Sequence, residues 1–256
     1  MPAVRSLWSY GESGFHALSS ASVKERYERE CMTSAFRILG EGQLSLTKFL
    51  LITNEDVDTK DIKAVLTTIL KRFRPEKDLF IFSNLSLDTL DYTGPKLNHG
   101  SRGILLGVGD PIRDLPHHFY EALPIGIKSA TPFCPGCLVL EGTFDDLSLL
   151  AGQSVFEKWP LLILVDDIKK TLKSTSSFLW SVFMRFEPAQ DIYAAKTSIF
   201  RNNLLRQGSI LIDARTKEKY PDVVVPDMQT FDLVTKKWST YFSKPMAMGD
   251  SIEAHA

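Results

Sequence analysis

The sequence predicts an α/β protein made of two similar βαβ-type repeats, with mainly parallel sheets and flanking helices. Three observations carry that expectation. The run from Thr47 to Phe82 reads as strand, acidic turn, amphipathic helix, proline break and second strand. Lys158 to Asp167, KWPLLILVDD, answers Thr47 to Asp56, with Asp166 and Asp167 standing where Glu55 and Asp56 stood. Finally, Phe178, Leu179, Val182, Phe183 and Phe186 match Val65, Leu66, Ile69, Leu70 and Phe73 at an offset of 113, and Arg185, Pro188 and Asp191 match Arg72, Pro75 and Asp78 at the same offset. An apolar stripe alone is common to many helices; an Arg, a Pro and an Asp held in register with it point to duplication.

Within the first repeat, Phe49 to Ile52 is a continuous apolar run, the pattern of a strand covered on both faces. Asp58 or Thr59 is placed to cap a helix starting near Lys60, and Asp61 favours its first turn through the exposed amide dipoles. Ile62, Val65, Leu66, Ile69, Leu70 and Phe73 then form one helical stripe. Pro75 ends it and Asp78 opens a strand, Leu79 to Phe82. Upstream, Val4 to His16 carries turn residues and leads into a small-residue strand, Ala17 to Ser22. A helix is expected over Val23 to Leu39, closed by Gly40. After a turn-rich stretch, Ser83 to Arg102, a buried strand is expected over Gly103 to Val108.

Asp110 to Pro132 holds four prolines and reads as a linker. The second repeat is predicted as strand Leu138 to Leu140, helix Asp145 to Lys158, strand Leu161 to Val165, helix Ser174 to Phe186, and strands Asp191 to Ala195 and Ile210 to Ala214. The expected domains are thus 1–115 and 125–245, followed by a loose tail, 246–256.

Thirty Lys and Arg against thirty-one Asp and Glu give a formal charge of −1, with no basic block, so neither nucleic acid nor an anionic membrane is indicated as a partner. The longest apolar run, Pro160 to Val165, is too short to span a bilayer, and the N-terminus lacks signal-peptide character, so a cytoplasmic location is expected. Three cysteines fit a reducing compartment. Cys134-Pro135-Gly136-Cys137 is read either as half of a zinc site or a redox pair, or as a turn leading into a strand; no second ligand pair stands at metal spacing, and redox cysteines of the thioredoxin type sit at a helix start, which favours the turn.

No complete active site is visible in the residues. The acidic turns, Asn54-Glu55-Asp56 with Asp58 and Asp166-Asp167, sit at carboxyl ends of strands, where open α/β sheets place ligands. They are read either as a metal or acid–base site or as helix caps and solvated charge. His117 and His118 are adjacent and point apart. His16 opens a strand beside Phe15 and two glycines, and a lone His is most often a packing residue. Gly103, Gly107 and Gly109 lie within or at the end of a strand, so they make no dinucleotide fingerprint, and there is no G-x-S-x-G or H-E-x-x-H.

The run TKFLLITNEDVDTKDIKAVLTTILKRFRPEKDLFI resembles the C-terminal domain of the UbiD family of prenylated-flavin-dependent decarboxylases. Asn54 to Asp58 matches that family's acidic turn, and Lys71 to Asp78 its T-R-x-D-P-x-R-D segment. Ser20 to Tyr27 resembles V-S-I-K-K-x-Y-P, and Leu90-Asp91 a downstream L-D. The family's closing I-D-A-T-x-K is echoed in the second repeat, at Ile212 to Lys217. The resemblance covers residues 4 to 110 well and 128 to 240 more weakly, as a second copy that departs from the family's pattern. It implies the C-terminal oligomerisation and active-site-closing domain of a carboxy-lyase that decarboxylates an aromatic or unsaturated acid in ubiquinone or menaquinone biosynthesis. It also implies a homo-oligomer, and a flavin domain, fused or separate, that carries prenylated FMN, a divalent metal and the catalytic Arg and Glu residues. No E-G-P-x-G-E-type segment is found here, so this chain is expected to hold no catalytic, cofactor or metal residue and to be inactive alone. By motif position, Phe15, His16 and the loop Gly42 to Leu44 are implied to line the substrate pocket. Phe15 and Leu44 as plain interface core, a stand-alone ligand- or metal-binding module, and a purely structural subunit are the other readings.

Overall fold

The apolar runs become the central strands of two sheets with the same strand order. The computed structural model describes residues 3–14, 16–222, 224, 227–242 and 244. In sheet one, β1 (Val4–Ser9), β2 (Leu18–Val23), β3 (Phe49–Thr53), β4 (Leu79–Leu85) and β5 (Gly100–Gly107) lie in the order β1-β2-β3-β5-β4. In sheet two, β6 (Ile127–Cys134), β7 (Cys137–Gly142), β8 (Leu161–Val165), β9 (Ile192–Phe200) and β10 (Asn203–Asp213) lie in the order β6-β7-β8-β10-β9. The three inner strands of each sheet run parallel and the outer ones antiparallel to them. Two α/β repeats are therefore present, each a mixed sheet with a parallel centre.

The helices are α1 (Cys31–Gly40), α2 (Ile62–Leu70), α3 (Pro75–Asp78), α4 (Leu147–Ala151), α5 (Ile168–Thr171), α6 (Thr175–Phe183), α7 (Pro188–Asp191) and α8 (Met228–Lys237). Alternation along the strands explains how they layer. Leu50 and Ile52 of β3 face α1 across Ala35 and Ile38, whereas Phe49 and Leu51 face the other way, towards α2. In β8, Leu162 and Leu164 face α4 and Trp159, and Leu161 and Ile163 face α6. The inner faces of both sheets, with α2 and α6, form one shared core. The contacts across it are reciprocal, with α3 packing on β10 and α7 on β5. Phe49 meets Phe186 edge to face at 5.5 Å between centroids, and Phe133 stacks on Phe178. Both sheets fall in one compact unit, Met1–Glu218; a second, Lys219–Ala256, contains α8, whose N-terminus Asp227 caps.

Several elements differ from expectation. β1 is an additional edge strand, antiparallel to β2. The helix expected from Val23 begins only at Cys31, because Val23 belongs to β2 and is fully buried, and residues 24–30 turn instead, with the Glu30 carboxylate accepting from Arg26 N. β6 takes up the end of the predicted linker; Pro132 is tolerated there because β6 is an edge strand. The helix expected over 145–158 shortens to α4 and a 3-10 turn, Ser154–Phe156. Pro75 does not simply break the chain but opens the short α3, and β9 and β10 extend as a hairpin beyond their predicted ends. The tail 246–256 lies outside the described residues.

The cap of α2 is Asp61, whose carboxylate accepts from Lys63 N at 3.0 Å and Ala64 N at 3.1 Å; Asp58 instead accepts from Lys60 N in the preceding turn. Asp61→Ala is expected to cost about 0.5–2 kcal/mol, read as a lower urea midpoint with an unchanged slope.

Candidate functional site

The chain enters β2 and β3 through two short turns, and the residues singled out for a pocket lie in or beside them. Gly11–Ser13 is a 3-10 turn, followed by Gly14 at φ 71; a Cβ on Gly14 would lie 2.2 Å from Met184 Sδ, so only glycine lets this loop close on the end of α6. Phe15 lies outside the described residues. His16 takes φ 60, and its enclosed Nδ1 has no hydrogen-bond partner among the described residues. Leu44 lies in a second 3-10 turn, Gly42–Leu46, half-buried against the outer core of sheet one. The backbone ties the two segments to the start of β3: Thr47 N donates to the Leu44 carbonyl at 3.0 Å and Lys48 N to the His16 carbonyl at 3.2 Å. Beside the second turn is a groove of about 430 Å³, lined by Phe36, Leu39, Ser45, Phe82, Leu85 and Arg102. Arg102 is turned inward onto the Leu39 and Ser86 carbonyls, which leaves the groove mainly apolar.

At the same end of sheet one is a buried charge pair that hydropathy did not single out. Lys48 is 1% exposed and its Nζ lies 2.8 Å from Asp91 Oδ2. Asp91 Oδ1 accepts from Thr93 N at 2.9 Å and Thr93 Oγ1 at 2.6 Å, and the Lys48 ammonium also sits 5.4 Å above the Phe186 ring. Of the downstream Leu90-Asp91, it is Asp91 that anchors the turn-rich stretch before β5 to the shared core, while Leu90 is exposed.

The acidic turns resolve into local bonds. Glu55 pairs with Arg72 at 2.8 Å, and the corresponding Asp166 lies 3.7 Å from Arg185, so the duplication has kept a link from the acidic turn to the end of the helix. Asp167 caps α5 through Lys170 N. Among the described residues no group of three or more His, Cys, Asp or Glu is placed to hold a metal.

Cys134 and Cys137 pair across the start of the β6–β7 hairpin, with Pro135-Gly136 as its turn and Gly136 at φ 79. All three thiols are free and buried, and burial pushes those of Cys31 and Cys137 up. Reaction of the folded protein with an aromatic disulfide reagent is expected to be slow until urea unfolds the chain, since the thiolate is the reactive form.

A polar cavity lies at the carboxyl ends of sheet two, with a volume of about 400 Å³. Gly142 closes β7, Asp166 follows β8, and Asp213, Arg215, Thr216 and Lys217 follow one another from the end of β10; Lys128 and Thr143 complete the wall. Arg215 donates to both Asp213 oxygens, through Nε at 2.8 Å and Nη2 at 2.9 Å. Thr216 donates to Asp166 from N and Oγ1, each at 2.8 Å. Lys217 reaches the Asp213 and Arg185 carbonyls and pairs with Asp191 at 3.4 Å; burial lowers its pKa and raises that of Asp191. The closing I-D-A-R-T-K thus serves two ends, with Lys217 turned into the protein and Arg215 bordering the cavity. No spacing rule in the sequence connects Lys128 and Thr143 to Arg215.

Comparison with known proteins places these features. Residues 1–107 match the family model described as the 3-octaprenyl-4-hydroxybenzoate carboxy-lyase C-terminal domain, UbiD_C. The chain is 48% identical over 244 residues to a Chlamydia pneumoniae protein named as a subunit of 4-hydroxybenzoate decarboxylase, covering 94% of this chain and 42% of that protein. It is 45% identical over 244 residues to an uncharacterised protein of Chlamydia trachomatis, with the same coverage. The chain therefore spans less than half the length of these relatives. Among solved structures, the closed form of the vanillic acid decarboxylase of Sedimentibacter hydroxybenzoicus is similar over 48% of this chain and 26% of that one, with a TM-score of 0.40 and 23% identity. The UbiD-class enzyme HmfF from Pelotomaculum thermopropionicum, in complex with FMN, covers 49% of this chain and 27% of that one, with a TM-score of 0.39 and 17% identity. No helix among the described residues is long and apolar enough to cross a membrane. The family match thus falls on residues 1–107, the first repeat.

Proposed function

We propose that this chain is the C-terminal oligomerisation and active-site-closing part of a UbiD-type carboxy-lyase that decarboxylates an aromatic or unsaturated acid in quinone biosynthesis, in the cytoplasm. The observation that carries this is the family match over 1–107, joined to 48% identity across nearly the whole chain with a protein named for 4-hydroxybenzoate decarboxylase. The flavin domain, whether fused or a separate subunit, supplies prenylated FMN, its metal and the catalytic Arg and Glu residues. This chain supplies a cover. Phe15, His16 and Leu44 line the substrate pocket; for His16 the support is its enclosed Nδ1, which has no partner among the described residues and would find one on substrate or on the flavin domain. The neighbouring groove, with Phe36 and Leu85 exposed on its rim, offers apolar surface for the flavin domain to rest on. An apolar cover favours the reaction, because excluding water from a carboxylate favours loss of its charge.

The test is reconstitution. The 256-residue chain alone is expected to retain no flavin and to release no carbon dioxide from 4-hydroxybenzoate, whereas together with its flavin domain it supports turnover. Stoichiometric flavin held tightly by the chain alone overturns the reading. In the assembled enzyme, His16→Ala is expected to lower kcat/KM about tenfold, the cost of roughly one hydrogen bond to the reacting complex. Unchanged kinetics would remove His16 from the pocket. A second reading, a ligand-binding module, is supported by the polar cavity at the carboxyl ends of sheet two.

A further inference from the structure

The two repeats share a strand order and an ion-pair register, so the positions at which they differ are informative. The carboxyl ends of the parallel strands are where open α/β sheets bind ligands, and both repeats have such an end. In repeat one the end is tied up internally. Arg5 Nη1 donates to the Asn54 carbonyl at 2.9 Å, and Gly109 N donates to Asn54 Oδ1 at 3.3 Å. The strand registers relate the two ends: Phe49 pairs with Gly103 in sheet one, and Leu161, which faces the shared core as Phe49 does, pairs with Ile210 in sheet two. Gly107 of repeat one therefore corresponds to Ala214 of repeat two. A side chain at Gly107 is barred, since a Cβ there would lie 2.2 Å from Ile69 Cα. Repeat two places a carboxylate and a guanidinium on either side of Ala214, at Asp213 and Arg215, and keeps an open cavity of about 400 Å³ beside them.

The charges facing that cavity are Lys128, Arg215 and Lys217 against Asp166 and Asp213. Both carboxylates are already engaged, Asp213 by the Arg215 fork and Asp166 by Thr216 and, at longer range, Arg185. Lys217 is held by Asp191 and two carbonyls. The Lys128 side chain is exposed and makes no ion pair or hydrogen bond among the described residues, and Arg215 keeps its Nη1 outside the fork to Asp213. Thr143 stands on the same wall, beside Thr216, whose hydroxyl is taken up by Asp166. A guanidinium oriented by a carboxylate, an ammonium facing the cavity and the Thr143 hydroxyl suit an oxyanion, and the volume falls in the range of small-molecule sites.

We propose that the cavity at the carboxyl ends of β7, β8 and β10 binds a small oxyanion, a phosphate or carboxylate group, through Arg215 and Lys128. The site belongs to the diverged second repeat and does not depend on the flavin-domain reading, because its residues all come from this chain.

The full chain would be titrated with inorganic phosphate and, separately, with malonate, by calorimetry and by amide NMR of Thr143 and Thr216. Saturable binding of either, weakened by added salt, is expected. Phosphate alone saturating assigns a phosphoryl ligand, and malonate alone a carboxylate. Lys128→Gln, at an exposed position that leaves the fold intact, is expected to weaken binding about tenfold; Arg215→Gln is expected to weaken it by at least as much. Arg5→Gln, in the corresponding end of repeat one, should leave it unchanged. Amide shifts at Thr143 and Thr216 that fail to saturate with either anion, or a Lys128→Gln affinity equal to that of the unaltered chain, would overturn the proposal.

Discussion

Lys48→Met is expected to lower the stability of the folded chain by about 3–5 kcal/mol, the range for removing one partner of a buried ion pair. The reason is Asp91. Its side chain is 7% exposed and Lys48 is the cation paired with it; Thr93 supplies two hydrogen bonds, but no charge. Methionine fills much of the lysine volume and can keep the contact over Phe186, so the loss reports the stranded carboxylate rather than a cavity. Removing both charges, in Lys48→Met with Asp91→Leu, is expected to recover most of the loss, because the desolvation cost disappears along with the attraction. Urea unfolding of the two singles and the double decides it. Losses below about 1 kcal/mol in Lys48→Met would show that water reaches Asp91 and that the pair is effectively a surface one.

Phe186→Ala is expected to cost about 3–5 kcal/mol and to weaken both repeats together. Phe186 is fully buried, with its ring 5.5 Å from Phe49 of sheet one and 5.7 Å from Phe183, and beneath the Lys48 ammonium. It closes the end of α6 against the first sheet. The inner core is common to both sheets, so unfolding followed by fluorescence and by circular dichroism should stay a single coincident transition at a lower midpoint. A variant in which one sheet melts before the other would show that the repeats are independent and that the shared core contributes little to cooperativity.

The central strands were legible because they are covered on both faces. Phe49 to Ile52 and Leu161 to Val165 are unbroken apolar runs, and burial of alternate residues against different helices requires that pattern. The helix α2 was legible from its stripe, and α6 from its match to α2. The edge strands were not. β1 shows only weak alternation, and β6 carries Pro132 and ends a proline-rich stretch, so local composition reads as linker where pairing with β7 makes a strand. Residues 24–30 misled in the opposite direction, because their charges fit the outer face of a helix and their neighbour Val23 was needed in the sheet. His16 and Leu44 could be named from motif position, but the orphaned Nδ1 of one and the half-buried packing of the other needed coordinates.

By itself the sequence determined the unit, the duplication and the family resemblance, since each rests on residues close together in the chain or on a register repeated along it. Tertiary structure decided the rest. It set the inner faces of two sheets against one core, drew Lys48 and Asp91 out of water beside Phe186, and gathered Lys128, Thr143, Asp166 and Arg215 around a cavity in one repeat while Asn54 and Arg5 tied up the corresponding end of the other. Periodicity records only that a residue is buried. Which faces meet, and which charges are left facing a cavity, depends on contacts between residues far apart in the chain, and no local pattern encodes those.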